Sequence, residues 1–312
     1  MKAQEAGRKA IKAVNGAVNT AVLMIVLLLL AFAGYALWDA HQIYHSADKA
    51  QYAAYKPTAE NEGVSFQELR AINPEVFAWL TVYGTNVDYP VTQAEDNQKY
   101  ISTNVEGKYS MTGSIFLDKD NSMDFSDFNS IMYGHHMEKN AMFGEIDTFA
   151  DMYVFETHRY GNLYFSGKDH GIEFFAFVHA DAYDTSVYRT NVMGDEARQA
   201  YLDGLFDKSV YKRDIGVTTD DHIVLLSTCS SSSTNGRDIL VGRLSGEVYD
   251  DPFAVAETNI EKPRVSISVD APTGFLEGVP SLLIWALFIT VLLLAAALLA
   301  NHKQKKKKEA IG

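Results

Sequence analysis

One side chain in this 312-residue sequence stands out for covalent chemistry, the lone cysteine Cys229. A single thiol forms no disulfide within the chain, and outside the cytoplasm an unpaired thiol is a liability unless it is used. Cys229 closes the apolar run His222-Ile223-Val224-Leu225-Leu226-Ser227-Thr228, and the loop residues Ser230, Ser231, Ser232, Ser233, Thr234, Asn235 and Gly236 follow. A strand end holds a reactive group rigidly while leaving it open to solvent. The competing role for a lone cysteine, a buried and inert thiol, fits that position less well. The next apolar run opens at Arg237 and continues Asp238-Ile239-Leu240-Val241-Gly242-Arg243-Leu244. If the two runs pair across the loop, the Arg237 guanidinium lies beside Cys229, where it can stabilise a thiolate or an oxyanion. Arg243 shares that face but lies about 20 Å further along at ~3.3 Å per residue. For either arginine the alternative is a surface ion pair.

A thiol nucleophile needs an acid/base partner. Of the nine histidines, His302 follows the second long apolar run, and His41 and His45 flank the first. His158, His170, His179 and His222 occur singly in strand or turn contexts. The remaining two follow a β run and a turn-forming glycine, in Asn129-Ser130-Ile131-Met132-Tyr133-Gly134-His135-His136. That repeats the strand-end placement of Cys229. Adjacent side chains point to different sides, so one of the two histidines serves the chemistry and the other serves structure. No third ligand at a recognisable spacing supports a metal site at His135 and His136. Asp118-Lys119-Asp120-Asn121-Ser122 opens like a calcium loop but carries Met123 where glycine is required. No metal and no cofactor are expected.

The elements that must position these groups lie in a chain of uneven charge. The formal net charge is −13, which argues against a nucleic-acid partner. Both tips are basic: Lys2, Arg8, Lys9 and Lys12 against Glu5, and Lys303, Lys305, Lys306, Lys307 and Lys308 against Glu309. Without those nine basic and two acidic residues, 18 basic and 38 acidic residues remain, a balance of −20. Each basic tip borders a long apolar run, 21–38 and 279–300, close to the ~20 residues that span a bilayer as a helix. The positive-inside rule places both termini in the cytoplasm and the acidic middle outside the membrane. The small-residue sequence Ala31-Phe32-Ala33 also suits a signal-peptide cleavage site. A retained anchor is favoured because apolar character continues through Tyr35, Ala36, Leu37 and Trp38. Asp270-Ala271-Pro272-Thr273-Gly274 before the second run departs from a wall-sorting signal, so that run reads as a second anchor.

Between the anchors, 39–64 reads as a helical stalk. Ser65-Phe66-Gln67-Glu68 fits a capping box opening a helix. Asn73 and Pro74 suit the start of a second short helix carrying Phe77 and Leu80. From residue 81 the period changes to that of strands, around Val82, Tyr89 and Val91 and over 112–117, 130–133, 153–157, 162–165, 172–183, 222–228 and 238–248. A helical pattern over 194–206 interrupts them, with Ala197, Tyr201, Leu202 and Leu205 on one face. Short, regularly spaced strands with one inserted helix predict a small β-barrel with helices outside it.

Taken in order, Tyr133-Gly134-His135-His136-Met137, Leu226-Ser227-Thr228-Cys229 and the strand from Arg237 through Val241-Gly242-Arg243-Leu244 resemble the motifs of sortases. These are membrane-bound cysteine transpeptidases of Gram-positive bacteria. Phe77-Ala78-Trp79-Leu80, Asp88-Tyr89-Pro90-Val91, Asp96-Asn97 with Tyr100, and Gly113-Ser114-Ile115-Phe116-Leu117-Asp118 resemble class B in particular. The resemblance covers about 65–248. It implies a mainly β fold, a closed eight-stranded sortase-type barrel with peripheral helices, here flanked by two transmembrane helices. The organisation is then a basic tail at 1–20, an anchor at 21–38, the stalk at 39–64 and an extracytoplasmic catalytic domain at 65–250. A linker at 251–278, a second membrane helix at 279–300 and a basic tail at 301–312 complete it. By the same resemblance Cys229 is the nucleophile, His135 the acid/base and Arg237 the oxyanion or substrate clamp, with Ser227 and Thr228 lining the groove.

The implied reaction cleaves a C-terminal sorting motif of a secreted protein through a Cys229 thioester. The acyl group then passes to an amine on a peptidoglycan precursor or a pilin. A carboxy-terminal span is more typical of class C, but no class C lid motif precedes the barrel, and Asp251-Pro252-Phe253 follows the last catalytic strand. Wall anchoring and pilus polymerisation both stay open. The rival readings are a membrane-tethered cysteine peptidase, which shares every named residue, and a non-catalytic wall-facing binding protein. The loop over 184–193 is expected to set specificity.

Overall fold

The run Val-Phe-Ala-Trp-Leu-Thr-Val at 76–82 is apolar at almost every position, the pattern of a strand buried on both faces rather than of a half-buried helix. In the computed structural model, which describes residues 2–58, 64–229 and 235–254, it is strand β1 (Val76–Val82). The other strands are β2 (Asp88–Thr92), β3 (Ile115–Leu117), β4 (Asn129–Tyr133), β5 (Tyr160–Phe165), β6 (Lys168–Asp181), β7 (Ser209–Lys212), β8 (His222–Cys229) and β9 (Gly236–Ser245). They hydrogen-bond in the order β5-β1-β2-β3-β4-β8-β9-β6-β7, and β5 also pairs with β6. Eight strands therefore close into the expected barrel, and β7 is a ninth strand laid on the outer edge of β6.

Two apolar clusters explain why the central strands read as continuous hydrophobic runs. Val224, Leu226 and Leu240 point into one core with Trp79, Leu80, Phe143 and Phe174. The alternating residues Ile223, Leu225, Ile239 and Val241 face a second core with Tyr201, Leu202 and Leu205 of helix α4 (Asp195–Lys208). Each residue of β8 between its ends is thus buried on one side or the other. Strand β5 has only one covered face and shows clean alternation, with Leu163 and Phe165 buried and Tyr160, Asn162 and Tyr164 half-exposed. A β-bulge near Phe175 lets the long β6 serve both cores against β9.

Helix α1 (Lys2–Ala47) contains the 21–38 run and is, among the described residues, the one helix long and apolar enough to cross a membrane. Leu28, Leu29, Leu30, Phe32 and Leu37 are exposed along it, a surface suited to hydrocarbon rather than water. It ends at Ala47 and is followed by two short 3-10 turns, Lys49–Gln51 and Ala53–Tyr55, in place of a continuous helical stalk. Helix α2 (Val64–Ile72) starts one residue before Ser65, so the serine lies inside it rather than capping it.

Two further expectations are corrected. The second short helix after Pro74 is absent: the chain turns at Asn73 and enters β1, which carries Phe77 and Leu80. Residues 153–157 are helix α3 (Met152–Thr157), not a strand. Asp151 caps α3 by accepting from the amides of Tyr153 at 2.7 Å and Val154 at 3.4 Å, and that cap outweighs the local β-formers. The serine run at 230–233, the linker beyond residue 254, the second apolar run and the basic tail lie outside the described residues.

Candidate active site

The catalytic candidates come together because β4 and β8 run parallel. Tyr133 is in register with Ser227, so His135 and Cys229 each lie two residues past the same rung, at the same rim of the barrel. The Gly134 amide extends that ladder by donating to the Ser227 carbonyl at 3.2 Å. On the other side β9 begins at this rim and runs antiparallel, with Arg237 directly opposite Cys229. Strand β8 is therefore flanked by the strand leading to His135 and the strand that carries Arg237 near its start. All three residues line one cavity of about 460 Å³, together with Ser227 and Thr228. The thiol-bearing residue is exposed.

The paired histidines separate as their adjacency required. The His135 ring lies on the cavity, and its Nε2 is 2.7 Å from the Ile101 carbonyl oxygen. A carbonyl only accepts, so Nε2 carries a hydrogen and Nδ1 is the nitrogen left to take up or release a proton. The ring is oriented by a backbone carbonyl and not by a carboxylate. His136 instead pairs with Asp147 at 2.9 Å and does not line the cavity. The segment after it folds back: Phe143 N–H donates to the His135 carbonyl at 3.0 Å, and His136 bridges Met142. Three of its residues have left-handed backbone without being glycine, Lys139 (φ 58°), Asn140 (φ 60°) and Met142 (φ 53°).

Arg237 is half-buried and donates from Nη1 to the Gly236 carbonyl at 3.0 Å. Arg243 lies opposite Ile223 near the far end of β8 and is engaged by Glu173 at 2.9 Å and the Ile215 carbonyl at 3.1 Å. In this register Arg237 is opposite Cys229, and Arg243 is six residues further along β9.

Sequence reasoning missed the polar wall of the cavity. Tyr188, in the 184–193 loop, shares a hydrogen bond with Ser227 Oγ at 2.8 Å and stacks on Tyr133 with centroids 6.2 Å apart. Tyr133 donates to Asp118 at 2.9 Å, and Asn97 donates to the same carboxylate oxygen at 2.9 Å. Burial, then the charge of Cys229, pushes the Tyr188 hydroxyl up to about 12, although Ser227 and Arg237 pull the other way. Burial, then Asp118, also raises Tyr133. Both are therefore neutral phenols at physiological pH. Thr228 Oγ1 is buried with no hydrogen-bond partner among the described residues. Among the same residues no cluster of ligand-type side chains is arranged for a metal ion.

No protein-family model matches the chain. It is 28% identical to sortase B of Staphylococcus aureus over 238 residues, which is 72% of this chain and 96% of that protein. Sortase B of Listeria monocytogenes is 30% identical over 201 residues, 63% of this chain and 81% of the relative. The chain belongs to the sortase B family. It is thus a sortase-type cysteine transpeptidase, the class that acts on sorting-signal substrates. The crystal structure of sortase B from the type II pilus of Streptococcus pneumoniae is 45% identical. It aligns with a TM-score of 0.51 over 58% of this chain and 98% of that one.

Proposed function

We propose that Cys229 is the nucleophile of this sortase, His135 its general acid/base, and Arg237 the group that stabilises the oxyanion or clamps the substrate. The observation that carries this reading is the shared rim position of the three residues, just past the end of β4, at the end of β8 and at the start of β9. In the first half-reaction the Cys229 thiolate attacks the carbonyl carbon of a threonine in the sorting motif, forming a C–S bond and an oxyanion facing Arg237. The C–N bond then breaks, and the departing amine takes a proton from the His135 imidazolium. In the second half-reaction neutral His135 accepts a proton from an incoming amine as it attacks the thioester, and sulfur leaves as thiolate. Covalent catalysis replaces one difficult displacement by two easier ones, and general acid/base assistance contributes roughly 10²–10⁴ in rate. Ser227 and Thr228 line the groove for the scissile residue.

The catalytic domain, 65–250, is held outside the cell membrane by the 21–38 anchor through the 39–64 segment. The 251–278 linker leads to a second anchor at 279–300, and the basic tails at 1–20 and 301–312 lie in the cytoplasm. Its substrates are secreted proteins with a C-terminal sorting signal. Identity to the pneumococcal pilus enzyme favours an amine on a pilin over one on a peptidoglycan precursor as acceptor.

The test uses the full chain with a library of quenched peptides that place threonine at the scissile bond and vary its neighbours. Triglycine or a lysine-containing pilin peptide is added as acceptor. Cleavage after threonine, amide products with the acceptor, and loss of turnover in Cys229→Ala are expected. A Cys229→Ala chain that still turns over overturns the assignment. Products that are acids alone, even at high amine concentration, favour the peptidase reading.

A further inference from the structure

The loop that carries the acid/base histidine holds an unfavourable backbone, and the groups that hold it there come from the end of α1. Left-handed φ at Lys139, Asn140 and Met142 is costly for residues with a Cβ and persists only where surrounding contacts over-determine it. Tyr44, in the last turn of α1, makes two of those contacts. Its hydroxyl donates to Glu138 at 2.8 Å, and Lys139 Nζ lies 3.9 Å from the centre of its ring. A second tie reaches the other side of the loop. The Tyr89 hydroxyl donates to the Ala47 carbonyl at 2.8 Å and accepts from the Met142 amide at 3.1 Å. Between these ties the loop returns to close the Phe143-to-His135 hydrogen bond that fixes the backbone of the histidine.

We propose that Tyr44 is a positioning residue for transpeptidation: by gripping Glu138 and Lys139 it holds the 137–142 loop in the strained form that presents His135 to Cys229. The last turn of the membrane-anchor helix is then part of the catalytic apparatus rather than only its tether. This rests on the acid/base reading of His135.

The experiment uses the full chain in detergent micelles with the best peptide from the library above. Tyr44→Ala is expected to lower kcat about five- to tenfold with KM for the peptide within twofold. Tyr44→Phe, which keeps the ring under Lys139 but loses the hydrogen bond, falls between it and the wild type. Glu138→Ala removes the same bond from the other side. Its loss is expected to match that of Tyr44→Phe, and the double variant to lose no more than either single one. Amide exchange of Phe143 is expected to quicken at least fivefold in Tyr44→Ala while exchange in β8 and β9 is unchanged. A His135-dependent chain whose kcat is indifferent to Tyr44→Ala overturns this proposal alone, as does a loss confined to KM or additive losses in the double variant. A His135→Ala chain with wild-type activity overturns the acid/base reading and this proposal with it.

Discussion

At the scale of single residues, two arginines on one strand separate chemistry from architecture. Arg237 sits opposite Cys229 at the rim, and Arg243 is tied to Glu173 and a backbone carbonyl near the far end. A lysine at 237 keeps the charge but loses the planar pair of donors that matches a carboxylate or an oxyanion. Arg237→Lys is therefore expected to lower kcat/KM by roughly 10²-fold, the scale of losing an oxyanion donor. Arg243→Lys is expected to cost about 1 kcal/mol of stability and to leave kcat in place. Steady-state kinetics and denaturant melts of the two variants check the contrast. The rim positions of Cys229 and Arg237 were legible because strand-end position and hairpin spacing are local properties of the sequence. The resemblance points to His135 over His136, whereas the residues alone leave the pair open, because which ring meets Ile101 and which meets Asp147 is set by residues 34 and 11 positions away. Tyr188 escaped notice for the same reason: its partner Ser227 is 39 residues distant.

At the scale of elements, parallel β4 and β8 align two strand ends, and the return of the His135 loop finishes the alignment. Gly144 is where that return is tightest. A Cβ there would press into the backbone carbonyl oxygen of Met137 and meet that of Ala141 at 2.9 Å, and a peptide group yields far less than a side-chain tip. Gly144→Ala is expected to destabilise the domain by about 2–3 kcal/mol. It should slow turnover by more than the lost folded fraction explains, when urea melts and kcat are compared at a temperature where the variant is folded. The barrel strands were readable where one face meets solvent, as in β5. They were misread where tertiary context overrode the local pattern. Phe77 and Leu80 have helical spacing, yet β1 is pinned between β2 and β5. Residues 153–157 favour β structure by composition, but the Asp151 side chain nucleates a helix there.

At the scale of the molecule, the many tyrosines make stability sensitive to alkali. Burial lifts Tyr89 and Tyr188 to about 12, against an ordinary value near 10, and raises Tyr52, Tyr100, Tyr133 and Tyr201 as well. The folded state therefore keeps protons that the unfolded chain releases. Their contribution is complete below pH ~10 and is lost as pH rises through ~12, on the order of 2–3 kcal/mol for a buried tyrosine such as Tyr89. Thermal melts between pH 8 and 12 should show a Tm that is level to about pH 10 and then falls, in step with phenolate absorbance. A flat Tm above pH 11 would contradict the burial of these hydroxyls.

The parallel register of β4 with β8 also bears on the order in which the site assembles. The two segments are separated by 88 residues that include β5, β6, β7 and α4, and His135 does not reach the Cys229 rim until that long excursion has been closed. Closure over such separations is slow compared with local folding. The β8–β9 hairpin sets Arg237 opposite Cys229 by itself, but until β4 docks on β8 the sulfur has no imidazole beside it. Until the barrel shuts, the chain carries a thiol and a guanidinium without the imidazole.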